Sequence, residues 1–456
     1  MASQQLTLTF YGGVGGVTGS NFVLAGDNFK FMVDCGLFQG GREQDDENYK
    51  PFSYNPAEIT ALIVTHAHLD HIGRIPKLVR EGFSGAIYST PATKDIAEAM
   101  FDDALSILAE RAHRDNHPPL YTQDDVKRTS QLWKTAAYGV TTPLAGDVSL
   151  VFRDAGHILG SGMAEIVYRG KKIVFTGDLG NSPSPLLNDT EEVTDADYLV
   201  MESVYGDRNH ETRDTRKDEL EDAIENAVLW GGVLLIPVFS IERTQTLLYE
   251  VNKLVEGHEV PAVPVFVDSP LAIRVTEIYR KRIHELNVRV QEEVKKGDDI
   301  FAFPKLTFSR TAEESRMIAR VGNPKIIIAG SGMSSGGRVL YHEKKYLPDP
   351  KCTLLLVGYQ AAGTLGRQLA EGARSIQLHG EKVSVRARVV TLYGYSAHKD
   401  SDDLFSFAAQ TADTVKKVFV VMGEAKSSLF LVQRLRDYLG IDARAPERGE
   451  TVILPF

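Results

Sequence analysis

Short aliphatic and β-branched runs, namely FKFMVD, ALIVTH, KKIVFTGD, DYLVMES, GVLLIPV, PKIIIAG, CTLLLVG and KKVFVVM, alternate along the chain with longer amphipathic stretches. Runs of this kind predict strands, and their alternation with helical patterns predicts a layered α/β architecture. No repeat of about 20–50 residues and no low-complexity segment interrupts the pattern. HRDNHPPLYT, residues 113–122, combines prolines with charge between two helical patterns, which predicts a loop with His113 and His117 solvated.

Several of the predicted strands deliver an acid or a histidine at their C-terminal end: Asp34 after FKFMV, His66 after ALIVT, Asp178 after KIVFTG and Glu202 after DYLVM. Loops at such strand ends are where α/β sheets build sites. A single acid there often only caps the next helix. Four of them, beside a histidine cluster, point to chemistry.

That cluster is VTHAHLDHIG, residues 64–73. His66, His68 and Asp70 alternate along a segment expected to be extended, so their side chains can converge from one side, and His71 lies where the chain turns helical. Imidazole and carboxylate donors crowded into one small volume suit zinc. AGHILGSG, residues 155–162, adds His157 after another strand-like run. With His66, His68 and Asp178 it completes a tetrahedral four-donor set, and Asp178 can bridge to a second metal held by Asp70 and His71.

Composition narrows the setting. The 456 residues, 43% apolar, can bury at least one large core, and two domains fit the pattern best. The start MASQQLTLTF lacks a signal-peptide pattern and no window of about 18 apolar residues occurs, so a soluble, unexported chain without membrane contact is expected. Cys35 and Cys352 each stand alone, which suggests neither a disulfide framework nor a cysteine metal site and favours the cytoplasm. A net charge of −10 argues against an indiscriminate nucleic-acid coat. From Arg338 to Arg388, however, nine Lys or Arg face four acids, a local charge of +5. A local basic segment is what a polyanion needs, although solvated helix faces give the same count.

Two glycine-rich turns, GSGMSSGGR and GYQAAGTLGR, follow buried-type strands and can offer backbone N–H groups to phosphate. The candidate phosphate or RNA contacts there are Gly332, Ser334, Ser335, Arg338, Gly363 and Thr364. GGVGGVTGS, residues 12–20, is followed by strand-like NFVLAG, so the Rossmann fingerprint fails and a hairpin near the site is expected. GSGMSSGG lacks the ending of a P-loop.

THAHLDH, AGHILGSG and FTGDLG, preceded by VDCG, resemble the metal motifs of metallo-β-lactamase-fold hydrolases in order. ESVYGDRNHE, PVFSIERTQTLLYE, DSPLA, AGSGMSSGGRVLYH, VGYQAAGTLGR and GYSAHKD resemble the β-CASP nucleases, the group of ribonuclease J and of the polyadenylation-factor endonuclease. The resemblance runs from about residue 6 to the C-terminus. It implies a four-layer αβ/βα sandwich with an inserted α/β β-CASP domain: residues 1–207 as the first part, 208–385 as the insert and 386–456 as the return. It implies His66, His68, Asp70, His71, His157 and Asp178 as metal ligands, with Asp34 and Asp70 among the acids the reaction uses. His398 matches the family histidine proposed to protonate the leaving oxygen, and Glu202 the acid that orients it. His342 and His379 match no catalytic motif and are expected to be structural or RNA-facing. One departure stands out. Where the family has a histidine in a strand-end HGE, this chain reads VVMGEAK, so Met422 replaces a ligand to the second metal; one zinc is expected firmly and the second is in doubt.

The expected function is therefore zinc-dependent hydrolysis of single-stranded RNA, leaving a 5′ phosphate. The alternatives are an RNA-binding β-CASP paralogue with weakened catalysis and a small thioester or lactone hydrolase. Endonucleolytic or exonucleolytic mode, RNA preference, cutting of DNA and oligomeric state, a homodimer included, are not legible in these residues.

Overall fold

The computed structural model describes residues 6–455 except 115–116, 211–214, 359 and 362. The start of the chain, two residues of the predicted 113–122 loop, Glu211 of ESVYGDRNHE, and Tyr359 and Ala362 of VGYQAAGTLGR therefore lie outside the described residues. Every run named above as a strand contains one: Phe29–Val33, Ala61–Ile63, Lys171–Phe175, Tyr198–Glu202, Val233–Pro237, Lys325–Ala329, Thr353–Val357 and Lys417–Val421.

The chain forms two compact units, residues 1–209 with 398–456, and residues 210–397. Among the described residues, the first holds two seven-stranded sheets. One runs Thr451–Leu454, Leu6–Gly12, Asn21–Gly26, Phe29–Val33, Ala61–Ile63, Ala86–Ser89, Trp133–Thr135; the other runs Ala443–Arg444, Lys417–Val421, Tyr198–Glu202, Lys171–Phe175, Gly162–Tyr168, Val148–Asp154, Thr142–Pro143. They face each other across one apolar layer in which Phe10, Phe22, Phe31, Phe152, Phe175 and Phe419 are buried. Period-2 alternation sends the intervening residues the other way. Thus Val174, Leu199, Met201, Val418 and Val420 bury against Leu404, Phe407, Leu431 and Leu435 of helices Ser401–Ala409 and Ala425–Leu439. This is a four-layer αβ/βα sandwich.

The second unit centres on a parallel sheet, six-stranded among the described residues, in the order Leu306–Phe308, Val265–Asp268, Lys325–Ala329, Val233–Pro237, Thr353–Val357, Arg388–Leu392. Its inner strands VLLIP, KIIIA and TLLLV are buried at every position, as strands covered on both faces must be. Arg388–Leu392, placed by the sequence reading in the return segment, pairs in register with Thr353–Val357, and the unit ends at residue 397. Alternation within RVVTL cannot say which sheet the strand joins.

GGVGGVTGS does connect two antiparallel strands. His113 lies exposed in the last turn of the helix Pro91–Arg114, while His117 stacks on Tyr49 and pairs with Asp46, so it is not the solvated residue expected.

Candidate active site

The histidine motif leaves its strand extended only as far as His68, which is the N-cap of the short helix Leu69–Ile72. Asp70 therefore sits in a first helical turn, where the helix dipole favours an acid, and not on the extended segment the sequence suggested. The VDCG loop closes against this helix. Cys35 N–H donates to the His71 carbonyl, and a Cβ on Gly36 would fall 1.5 Å from the Asp70 carbonyl oxygen, so only glycine permits the approach.

His66, His68, His157 and Asp178 converge. His66 Nε2 lies 3.1 Å from His68 Nδ1 and 3.4 Å from Asp178 Oδ2; His157 Nε2 lies 3.2 Å from His68 Nδ1 and 3.5 Å from Asp178 Oδ2. Donors about 2.0–2.1 Å from a tetrahedral zinc are about 3.3–3.4 Å apart, so these separations match four of the six edges of a tetrahedron of that size. Asp178 turns its other oxygen the opposite way. Its Oδ1 is 3.3 Å from His71 Nε2, and Asp70 Oδ2 lies 3.8 Å from the same nitrogen. Both Asp178 Oδ1 and His71 Nε2 are buried with no hydrogen-bond partner among the described residues. Such orphaned buried atoms are rare and costly unless something fills the gap between them. His66, His68, His157 and Asp178 fit one cation, and Asp178 Oδ1 with His71 Nε2 leaves a second gap beside it.

Protonation states agree with that fit. Burial pushes His68 and His157 well below the ordinary imidazole pKa, with His66 adding to the effect on the former and His398 on the latter. Burial opposes charge on Asp178, but His71 and His66 outweigh it and hold the carboxyl well below its usual range. Neutral imidazoles and an ionised carboxylate are the forms a cation binds. Burial also opposes charge on His71, yet Asp178 and Asp34 outweigh it and raise that imidazole well above its usual value. Were a cation to take His71 as a donor, this imidazole would have to release a proton first.

Asp34, with φ of 57°, is fully buried and accepts from His71 Nδ1 at 2.7 Å and from Ser20 Oγ at 3.1 Å. Glu202, also fully buried, accepts the Leu179 N–H at 2.6 Å and faces His398 Nδ1 at 3.2 Å through the same oxygen. Burial pushes its carboxyl up, against the pull of His398. An isolated antiparallel bridge between Gly180 and His398, and the Lys399 N–H on the Leu179 carbonyl, hold His398 and Lys399 beside Asp178. His398 keeps 22% of its side chain exposed, whereas Asp178 keeps 4%.

Met422 follows the strand Lys417–Val421 in a left-handed conformation, φ 47°, with its amide on the Gly13 carbonyl and its side chain in the apolar layer between the sheets. That backbone is uncommon for methionine and several-fold commoner for histidine.

The phosphate candidates all lie in the second unit, where each has a local role. Arg338 donates to the buried Asp268 at 2.7 Å and to the Ser309 and Arg310 carbonyls. Ser334, fully buried, bonds Glu343; Ser335 N–H donates to Ser331 Oγ; Thr364 caps the helix Leu365–Ala370. Gly332 leaves room for Phe239, and Gly363 is exposed with φ of 83°. His342, buried, completes the set around Asp268 at 2.7 Å, a structural role, while His379 stacks on the exposed Tyr341. Nothing in DSPLA signalled that Asp268 would gather Ser315 from one later segment and Arg338 and His342 from another. Ser20 and Thr65 in the first unit were missed for a different reason: hydroxyls carry no motif of their own.

The chain is similar to known proteins along most of its length. Residues 14–225 match the metallo-beta-lactamase superfamily, 244–369 the Beta-Casp domain and 382–446 the Zn-dependent metallo-hydrolase RNA specificity domain. The chain is 36% identical to Ribonuclease TTHA0252 of Thermus thermophilus, over 92% of this chain and 94% of that one. It is 32% identical to an RNase J-like protein of Methanocaldococcus jannaschii, over 98% and 99%, and 32% identical to the transcription termination factor FttA of Methanothermobacter thermautotrophicus, over 98% and 71%. A crystal structure of a protein of unknown function from Enterococcus faecalis shares the fold, with a TM-score of 0.58 and 14% identity over 99% of this chain. No helix among the described residues is long and apolar enough to cross a membrane.

Proposed function

The chain belongs to the metallo-β-lactamase-fold β-CASP ribonuclease family, and from that premise we propose that it is a zinc-dependent ribonuclease whose metal centre is His66, His68, His157 and Asp178. The observation that carries the reading is the donor tetrahedron, four of whose six edges measure 3.1–3.5 Å, a size that suits zinc. Asp70, His71 and the second oxygen of Asp178 would hold a second ion more weakly, since Met422 offers only a thioether where the family has an imidazole. Bound zinc supplies Lewis acidity and a nucleophile at neutral pH.

The chain's own groups do the rest. Asp34 fixes His71 through Nδ1, leaving Nε2 for the cation. Glu202 holds His398 Nδ1, so His398 Nε2 is the atom that gives a proton to the departing oxygen when the phosphodiester bond breaks. Water attack at phosphorus with protonation of the 3′ oxygen leaves a 5′ phosphate on the downstream product. RNA as substrate is supported by the names of two relatives and by the matched RNA specificity domain. Gly332 and Gly363 remain the better phosphate candidates, because Arg338, Ser334, Ser335 and Thr364 already make local bonds.

The test is His398→Ala on end-labelled RNA. Metal content should stay at the unmodified level while cleavage slows by about 10²–10⁴, the usual worth of a general acid. An unchanged rate would remove His398 from the mechanism.

A further inference from the structure

Thr65 has no metal-binding atom in the cluster described above, yet it touches every segment that builds it. Its N–H donates to Asp34 Oδ1 at 2.9 Å, and its carbonyl accepts the Gly162 N–H at 2.8 Å, at the end of the loop that carries His157. Its side chain lies against Gly177, the residue before Asp178; a Cβ there would stand 2.7 Å from the Thr65 Cβ and Oγ1, and the φ of 55° at Gly177 also favours glycine. The hydroxyl sits 2.9 and 3.1 Å from the two Asp34 oxygens, 3.1 Å from His66 Nδ1 and 3.5 Å from His71 Nδ1. Thr65 is 1% exposed and His66 and Asp34 are fully buried, so no bulk water reaches these atoms.

Proton counting then fixes the direction of each bond. His66 presents Nε2 to the other three donors, so a neutral His66 that binds a cation carries its proton on Nδ1. That N–H donates to Thr65 Oγ1. A hydroxyl has one proton to give, and the acceptor-only Asp34 carboxylate takes it. The same carboxylate takes the Nδ1 proton of His71 directly.

We propose that Thr65 is a positioning residue that links His66 to Asp34, so that one buried carboxylate sets the tautomer of a histidine in each of the two metal sites. The proposal rests on the metal-centre reading above. Without the hydroxyl, the His66 Nδ1 proton faces a gap, and the tautomer that avoids this puts a proton on Nε2, where the cation belongs.

The test compares Thr65→Val, which keeps the shape without the hydroxyl, with Thr65→Ser, which keeps the hydroxyl. Zinc affinity of the metal-stripped full chain is measured by competition with a chromophoric chelator, and the visible band of the cobalt-loaded protein reports donor geometry. Thr65→Val should bind the first zinc about 10- to 100-fold more weakly, the usual effect of losing such an outer partner, with a changed cobalt band. Thr65→Ser should match the unmodified chain in both. Equal affinity in Thr65→Val, or equal weakening in Thr65→Ser, overturns the proposal. Should Thr65→Val not fold, Asp34→Asn replaces it: both stages of zinc binding should weaken, and weakening of one stage alone overturns the link through Thr65. If the unmodified chain binds no zinc, the metal-centre reading fails as well; if it binds and Thr65→Val binds equally, only the role of Thr65 fails.

Discussion

Replacing Glu202 by glutamine removes one charge and leaves the side chain's shape nearly intact. In the native site Oε1 accepts the Leu179 N–H at 2.6 Å and supports His398 Nδ1 at 3.2 Å, while Oε2 accepts the Val204 N–H at 3.3 Å. A glutamine amide has one acceptor oxygen, so its NH2 group must meet a donor in either orientation. The lower-cost orientation keeps oxygen toward Leu179 and His398 and turns NH2 toward the longer Val204 contact. His398 then loses a charge-assisted bond worth about 1.5–3 kcal/mol and retains a neutral one worth about 0.5–1.5 kcal/mol. The opposite orientation loses the whole contact. Between these limits the protonation step should slow about 10- to 100-fold, at about 1.4 kcal/mol per factor of ten. The imidazolium is also less stabilised, so the alkaline limb of the rate profile should move to lower pH. Single-turnover cleavage of end-labelled RNA across pH, with zinc measured in the same samples, reads all three quantities. A rate per bound zinc equal to that of the unmodified chain, with the alkaline limb unmoved, would refute the assignment of Glu202 as the partner of His398.

Two further outcomes follow from other parts of the chain. Met422→His places an imidazole on a backbone that suits it, and should tighten the weaker of two zinc stages and raise the cleavage rate; two equally tight ions in the unmodified chain, unaffected by the substitution, would show that Met422 marks no lost ligand. Burial pushes the Glu242 carboxyl up to about 7 from 4.5, against bonds from Tyr279 and Thr246, so the folded chain holds that proton more tightly than the unfolded one. Its stabilising share is fully present below about pH 4.5 and is lost as pH rises through about 7, a swing of about 3 kcal/mol. Urea midpoints of Glu242→Gln should fall less than those of the unmodified chain between pH 5 and about 8, and parallel curves would contradict the burial argument.

Much of the first unit was legible because strand ends and histidine clusters leave local signatures. ALIVT followed by HAHLDH states both a strand and a site, and Asp178 and Glu202 each close a recognisable buried run. The helix at Leu69 was less legible, since four residues give no period, and Asp70 was assigned to the wrong local geometry for that reason. The atoms that face the cluster were not legible at all: His68 turns Nδ1 toward its neighbours while His66 and His157 turn Nε2. Polar networks such as Asp268 with Arg338, His342 and Ser315 join residues 30 or more positions apart in sequence, as the separations of 70, 74 and 47 show, so no window of the sequence contains them. Arg338 was read as an RNA contact because a basic residue after a glycine-rich turn looks free until its partner is seen.

On the proposed reading, the cluster around Asp178 binds the metal with which this chain cuts RNA. Elemental analysis and cleavage of end-labelled RNA on one preparation, for the unmodified chain and for Asp178→Ala, test it together. The unmodified chain should carry at least one zinc and yield products with a 5′ phosphate, and Asp178→Ala should lose zinc and cleavage in parallel. Cleavage by the unmodified chain after complete removal of metal, or an Asp178→Ala protein that retains both zinc and activity, would contradict it.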